Sequence, residues 1–299
     1  MLNKVKKLLK DKLKFKNPKI FFNNFIKKRN LQYNKQKYKQ KYNANEILDK
    51  LIENGLRNGD TLFIHSSWEQ FYNYTDTPRV LIDTLIDFLG ENGTLAMPSF
   101  PQDQSGNKIF NLKKTPSAAG FLTEIFRRYK GVKRSINLNH SICAVGKNAE
   151  FLTNEHHKSL TSWDKYSPYY KLKEVDALIV GLGVGHNLEV ATSLHCVESI
   201  LKDEIYFYSL LFKDKIIYQY KDLSGNIGTH TYLQRNGKIN TKKLSKYFSK
   251  EELCEFKFSN LDIYTIRAKI LIDNSLELGK RGITMYVDPK PKKELFYRI

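Results

Sequence analysis

The run Ala177-Leu-Ile-Val-Gly-Leu-Gly183 carries no polar side chain, and it constrains the fold more than any other stretch. It is too short for a buried helix and runs into Gly181-x-Gly183-x-Gly185, so it reads as a buried strand ending in a glycine loop. The segment that follows, from about Leu188 to Ile200, reads as a helix. Thr192, His195 and Glu198 stand three apart on it, and residues three apart on a helix share a face. A hydroxyl, an imidazole and a carboxylate are therefore expected together near a strand end, where open α/β sheets place their sites. The imidazole is the side chain suited to proton exchange near neutral pH. The plain alternative is a packed histidine, hydrogen-bonded inside the core.

The rest of the body alternates in the same manner. Ala44–Leu56 is predicted helical, and Gly59-Asp60 turns into a strand at Thr61–Ser66. Thr77 caps and Pro78 opens a helix over Arg79–Leu89, and Gly90–Gly93 turns into a strand at Thr94–Pro98. Thr115-Pro116 opens a helix to about Tyr129, and Ser141–Gly146 is a short strand. Glu204–Phe212 and Lys215–Tyr220 read as a hairpin around Lys213-Asp214, and Asp262–Leu278 reads as a C-terminal helix. Alternating strands and helices predict an α/β fold with a central mixed, mainly parallel sheet and helices on both faces.

Charge divides the chain into an arm, residues 1–43, and a domain, residues 44–299. Residues 1–41 hold net +14 of the total +19, leaving only +5 on the other 258 residues. Leu2, Val5, Leu9 and Leu13 recur at helical spacing among lysines, and Phe21, Phe22, Phe25 and Ile26 form a second apolar cluster. Such an arm fits an anionic membrane surface, or docks its phenylalanines onto its own domain. Nucleic acid is not expected, because base-stacking aromatics belong on a sheet or groove. Three scattered cysteines suit neither a disulfide framework nor a zinc site. No metal is expected. No apolar run is long enough to span a membrane, and lysines interrupt every stretch that could serve as the core of a signal peptide. A cytoplasmic protein is expected, with a peripheral membrane position and an oligomer both left open.

Several short motifs carry chemistry. Gly181-x-Gly183-x-Gly185 falls short of a dinucleotide fingerprint, since His186 stands one position after Gly185, where a glycine is required. The glycines are instead expected to let the strand end pass close to a ligand or another backbone. Gln234-Arg-Asn-Gly237 only approaches the acyl-CoA loop of the common N-acetyltransferase superfamily, and is set aside. Cys196 adjoins His195, but helix neighbours point about 100° apart, so a thiol nucleophile is unsupported. His65-Ser66-Ser67 ends a strand with hydroxyls and bare amides, and Arg134-Ser135 precedes Asn139-His140-Ser141. Both clusters could bind phosphate or carbonyl groups.

Taken in order, these segments resemble the aminoglycoside 3-N-acetyltransferase family, also called the antibiotic N-acetyltransferase family. The resemblance covers roughly residues 44 to 285. It rests on Gly59–Ser67, Gly93–Phe100, Thr115–Gly120, Arg134-Ser135 with Ser141–Gly146, Ser167-Pro168, Gly181-x-Gly183 and Thr192-x-x-His195-x-x-Glu198. It implies an acetyl-CoA-dependent transferase acting on an amino group of a sugar-like substrate, on a fold distinct from the common N-acetyltransferase superfamily. His195 would be the base, with Thr192 facing the substrate; Glu198, on the same face, would hold the imidazole in the productive tautomer or attract the cationic acceptor. Ser66, Ser67, Ser99, Arg134, Ser135 and Ser141 would lie along the coenzyme. The chain departs from the family at Asn137-Leu138, where His-Pro is common.

The mildly basic body suits a phosphorylated or nucleotide-linked amino sugar, so N-acetylation in surface-polysaccharide biosynthesis is expected ahead of aminoglycoside resistance. O-acetylation would use the same base. A membrane- or nucleic-acid-binding protein on a dead scaffold is the reading from another class.

Overall fold

The computed structural model describes Arg29, residues 31–101 and residues 109–299. The arm's leucine stripe and phenylalanine cluster lie outside the described residues. Twelve strands occur among them: β1 Thr61–Ser66, β2 Thr94–Pro98, β3 Phe110–Asn111, β4 Lys133–Arg134, β5 Ile142–Gly146, β6 Leu178–Leu182, β7 Phe212–Lys221, β8 Ile227–Arg235, β9 Lys238–Ile239, β10 Leu253–Phe258, β11 Leu261–Arg267 and β12 Tyr286–Asp288. The main sheet has seven strands in the order β10-β11-β6-β1-β2-β5-β4. β6, β1 and β2 run parallel at its centre, and antiparallel strands extend it on both sides. The sheet is mixed, as expected, with its parallel part confined to the central trio.

Alternation along each strand explains the two cores. Phe63, Ala96, Ala144, Ile179 and Ile266 point to one face, against helices Pro168–Glu174, Cys196–Leu201 and Ala268–Lys280. Leu62, Ile64, Leu95, Met97 and Val180 point to the other, against helices Ala44–Glu53, Pro78–Leu89 and Phe121–Phe126. Period-two geometry thus sends His65 to the face of Phe63, the face that carries His195. Thr77 Oγ1 accepts from the Val80 amide and Pro78 fills the first turn, as the sequence predicts. Ser167-Pro168 caps its helix the same way, with Ser167 Oγ accepting from the Tyr170 amide.

The body begins earlier than Ala44. Tyr42 is 1% exposed and packs between Tyr74 and Phe258. Asn43 closes a capping box with Glu46, each side chain bonding the other's amide.

Four sequence expectations give way to tertiary pairing. Thr115-Pro116 opens no helix: the Ala118 amide bonds Phe100 O and Pro101 bridges Ser117, so helix Phe121–Phe126 starts only after Gly120, at φ 132°. Tyr206–Ser209 is helical, because Phe207 and Tyr208 bury their rings against Phe296. β7 pairs instead with β8 across the Asp222–Asn226 turn, and Lys213-Asp214 forms a bulge. Leu261–Arg267 is a strand between β6 and β10, and the C-terminal helix starts at Ala268. The fourth concerns the segment after β6. Asn187, Leu188 and Val190 take φ of 60°, 59° and 58°, so that segment is a left-handed loop. A 3₁₀ turn, Thr192–His195, then leads into the helix Cys196–Leu201.

Gly181 pairs with His65 and Tyr264, and a Cβ there would sit inside the Tyr264 ring. The glycine therefore makes room for a neighbouring side chain. We expect Gly181→Ala to cost about 1–3 kcal/mol through overpacking, read as a lower urea midpoint. An unchanged midpoint would refute the contact.

Candidate active site

The carboxyl ends of the three parallel strands meet at one cavity of about 360 Å³. β1 contributes His65 and Ser66, β2 ends in Pro98, and Val184 follows β6. Thr192, Leu194 and His195 close it from the 3₁₀ turn, and Asn139 and His140 reach it from the loop before β5. A second cavity of about 420 Å³ shares Phe100, Asn139 and His140 with the first, and adds Trp163, Gln234 and Arg235. His195 lines the first, and its ring lies 4.9 Å from the Trp163 ring that lines the second.

His195 Nδ1 lies 2.7 Å from Glu198 Oε1, and the two side chains are 12% and 1% exposed. The acceptor carboxylate selects the tautomer with hydrogen on Nδ1 and leaves the Nε2 lone pair free. Burial pushes the His195 ring below its ordinary value, with Glu198 pulling it part of the way back. Burial alone would raise the Glu198 carboxyl, but His195, Arg235 and the Tyr286 hydroxyl together hold it below its usual range. The pair therefore stands as neutral imidazole and carboxylate at neutral pH, a base ready to accept a proton. Two further imidazoles line the cavity. Burial pushes His65 and His140 down to about 3, so both are neutral.

The structure separates the other predicted residues. Ser66 and Thr192 line the cavity, and the Thr192 hydroxyl bonds the Val190 carbonyl at 3.1 Å. Ser67 gives its amide to Leu182 O. Ser99, Arg134, Ser135 and Ser141 do not line the cavity; they form a buried brace beneath it. Arg134 donates to the carbonyls of Thr115, Leu112 and Ser99 and lies over the Phe110 ring, so its fork grips backbone rather than phosphate. Ser141 Oγ donates to Ser99 O, and Ser135 Oγ meets His156 Nδ1 at 2.9 Å. Cys143 packs on the opposite face, its thiol pushed up to about 11 by burial, and burial likewise holds the Cys196 thiol well above its usual range. Neither lines the cavity, so neither is placed as a nucleophile. Among the described residues no cluster could hold a metal ion, and no helix is long and apolar enough to cross a membrane.

Sequence reasoning missed Trp163, Arg235 and Tyr286. Each comes from a segment more than thirty residues from His195, and no local spacing joins them to it. His65 and His140 stood inside quoted motifs, but only the strand alternation could have aimed His65 at this face.

These features define an α/β protein with a carboxylate–imidazole pair, its carboxylate buried, at the carboxyl ends of its parallel strands. The family described as aminoglycoside 3-N-acetyltransferase matches residues 63–278, and the chain belongs to that family. It is 31% identical over 163 residues to aminoglycoside N(3)-acetyltransferase IV of Salmonella sp, a match covering 52% of this chain and 59% of that protein. The chain thus spans about three-fifths of that curated relative's length. The fold resembles AAC(3)-IVa crystallised with a gentamicin, with TM-score 0.69, 23% identity, and coverage of 86% of this chain and 96% of that one. It also resembles AAC-IIIb in binary complex with CoASH, with TM-score 0.68, 17% identity, and coverage of 82% and 98%.

Proposed function

We propose that the chain is an acetyl-CoA-dependent N-acetyltransferase acting on an aminoglycoside-class amine, with His195 as general base. The observation that carries this is the neutral His195 ring, tied to buried Glu198 and lining a cavity at the strand ends. An ammonium has no lone pair, so the acceptor attacks as the neutral amine. As its nitrogen bonds the thioester carbon, His195 Nε2 takes the N–H proton that this nitrogen must shed, and Glu198 stabilises the imidazolium that results. The carbon–sulfur bond then breaks, and coenzyme A leaves as the thiol with the proton returned from His195. The apolar wall of Pro98, Phe100, Val184, Leu194 and Met285 suits a thioester arm. The Ser66 and Thr192 hydroxyls offer polar contacts beside it. Binding both partners in one cleft supplies the rest through proximity.

Membership of the family, and relatives named for aminoglycosides, favour this acceptor over the surface-polysaccharide sugar suggested by charge. The net charge of the body describes its surface. Among the described residues no Lys or Arg lines the cavity beside His195. Release of coenzyme A thiol over a panel of aminoglycosides, amino sugars and nucleotide-linked amino sugars tests the proposal. Turnover confined to the nucleotide-linked sugars would overturn the acceptor.

The pH profile follows from the lowered His195 value. The base works when neutral, so kcat/KM for acetyl-CoA at saturating acceptor should hold below pH 6.5, the ordinary histidine value, and fall only as pH drops through the depressed one. An acid limb centred above 6.5 would contradict this.

A further inference from the structure

We propose that Tyr286 and Arg235 are positioning residues, forming a chain of hydrogen bonds that fixes the Glu198 carboxylate and, through it, sets the basicity of His195. The inference rests on the reading of His195 as the base. Glu198 Oε1 accepts twice: from His195 Nδ1 at 2.7 Å, and from the Tyr286 hydroxyl at 2.6 Å. Arg235 Nη1 donates to the Tyr286 oxygen at 3.0 Å. Each donor in such a chain polarises the next, and a buried carboxylate stays ionised only when donors satisfy it. The Tyr286 ring is 0% exposed, so the chain is closed to solvent at its centre.

The backbone is shaped to bring these groups together. Tyr286 stands on β12, whose partner is the short strand β9. Gly237, between β8 and β9, takes φ 116°, and a Cβ there would press within 2.8 Å of the Tyr286 ring. The Gln234-Arg-Asn-Gly237 motif, a poor acyl-CoA loop, thus has another use. Its arginine ends the chain and its glycine admits the tyrosine. The Arg235 guanidinium also lies 6.0 Å from the Trp163 ring centre and 5.8 Å from that of Tyr286. Trp163 packs against His195, so Arg235 braces both sides of the pair.

The direction of each effect can be worked out. The Tyr286 hydroxyl and the Arg235 charge both stabilise the unprotonated, anionic state of the Glu198–His195 pair. Removing either favours proton uptake, so the midpoint at which the pair titrates must rise. Removing the carboxylate itself has the opposite effect on His195. The other titratable or charged groups facing the pair are Cys196 on the same helix, Tyr208 on helix Tyr206–Ser209, and His140 across Trp163. All three stay in place in the variants below.

The test is the titration of the His195 ring by NMR in the full-length protein without ligand, its resonance assigned by its loss in His195→Asn. Tyr286→Phe keeps the ring, and Arg235→Met keeps most of the stem, so packing is conserved. Both should raise the midpoint by roughly half a unit or more. Arg235→Lys, which keeps the charge, should restore most of the wild-type value. The acid limb of kcat/KM should move with the midpoint, while KM for acetyl-CoA stays put. A wild-type midpoint in both Tyr286→Phe and Arg235→Met, with wild-type melting, overturns the proposal. The titration needs no turnover. A protein inactive on every acceptor would refute the acetyltransferase reading and leave this measurement intact.

Discussion

Replacing His195 by asparagine should lower acetyl transfer by about 10²–10⁴-fold, while coenzyme A affinity changes by no more than a few-fold. Asparagine fills much of the imidazole's space but cannot take a proton at neutral pH. The 12% exposed ring lines the cavity without belonging to its apolar wall, so its loss leaves the surface suited to the thioester arm unchanged. Steady-state rates and calorimetric titration with coenzyme A measure the two quantities separately. Retention of more than a tenth of the wild-type rate would remove His195 as base. A large loss of affinity would instead assign it to binding.

Glu198→Gln should lower the same rate by about 10²–10³-fold, with KM for acetyl-CoA nearly unchanged. The amide can still accept from Nδ1–H, so the ring keeps its orientation. What disappears is the charge that stabilises the imidazolium as the proton arrives. That charge also holds the His195 pKa up against burial, so the acid limb should move to lower pH as the plateau falls. The fold should weaken as well, by roughly 1–3 kcal/mol, because the Tyr286 hydroxyl and Arg235 lose their buried anionic partner. An unchanged rate, or a limb moving upward, would show that Glu198 is only a packed residue. Glu198→Gln and Tyr286→Phe are thus expected to move the limb in opposite directions.

How much of this was legible in the sequence depended on the range of the interaction. Thr77-Pro78 announced its helix because a cap is a bond three residues long; Ser167-Pro168 caps a helix by the same bond, which was not read from the sequence. β6 was legible because an unbroken apolar run leaves few alternatives, and β1 and β2 because a glycine turn precedes each short apolar stretch. β11 was misread as helix, since Ile263, Tyr264, Thr265 and Ile266 declare a strand only once β6 and β10 flank them. At the site, the pairing of His195 with Glu198 was legible because the two stand only three positions apart. Tyr286 is eighty-eight positions beyond Glu198, and only the folded β8–β9–β12 corner brings it there. Arg134 shows the limit from the other side. A buried guanidinium needs acceptors, and in sequence three carbonyls look the same as a phosphate.

The central claim is direct acetyl transfer from acetyl-CoA to an amine, with His195 as base. It is tested most directly by mass spectrometry of both protein and acceptor, after wild type and His195→Asn have each been mixed with acetyl-CoA and an aminoglycoside. With wild type, the acceptor should gain one acetyl group and the protein none; with His195→Asn, neither should gain one on the same timescale. An acetyl group found on the wild-type protein, or an acceptor modified equally by both proteins, would contradict the account.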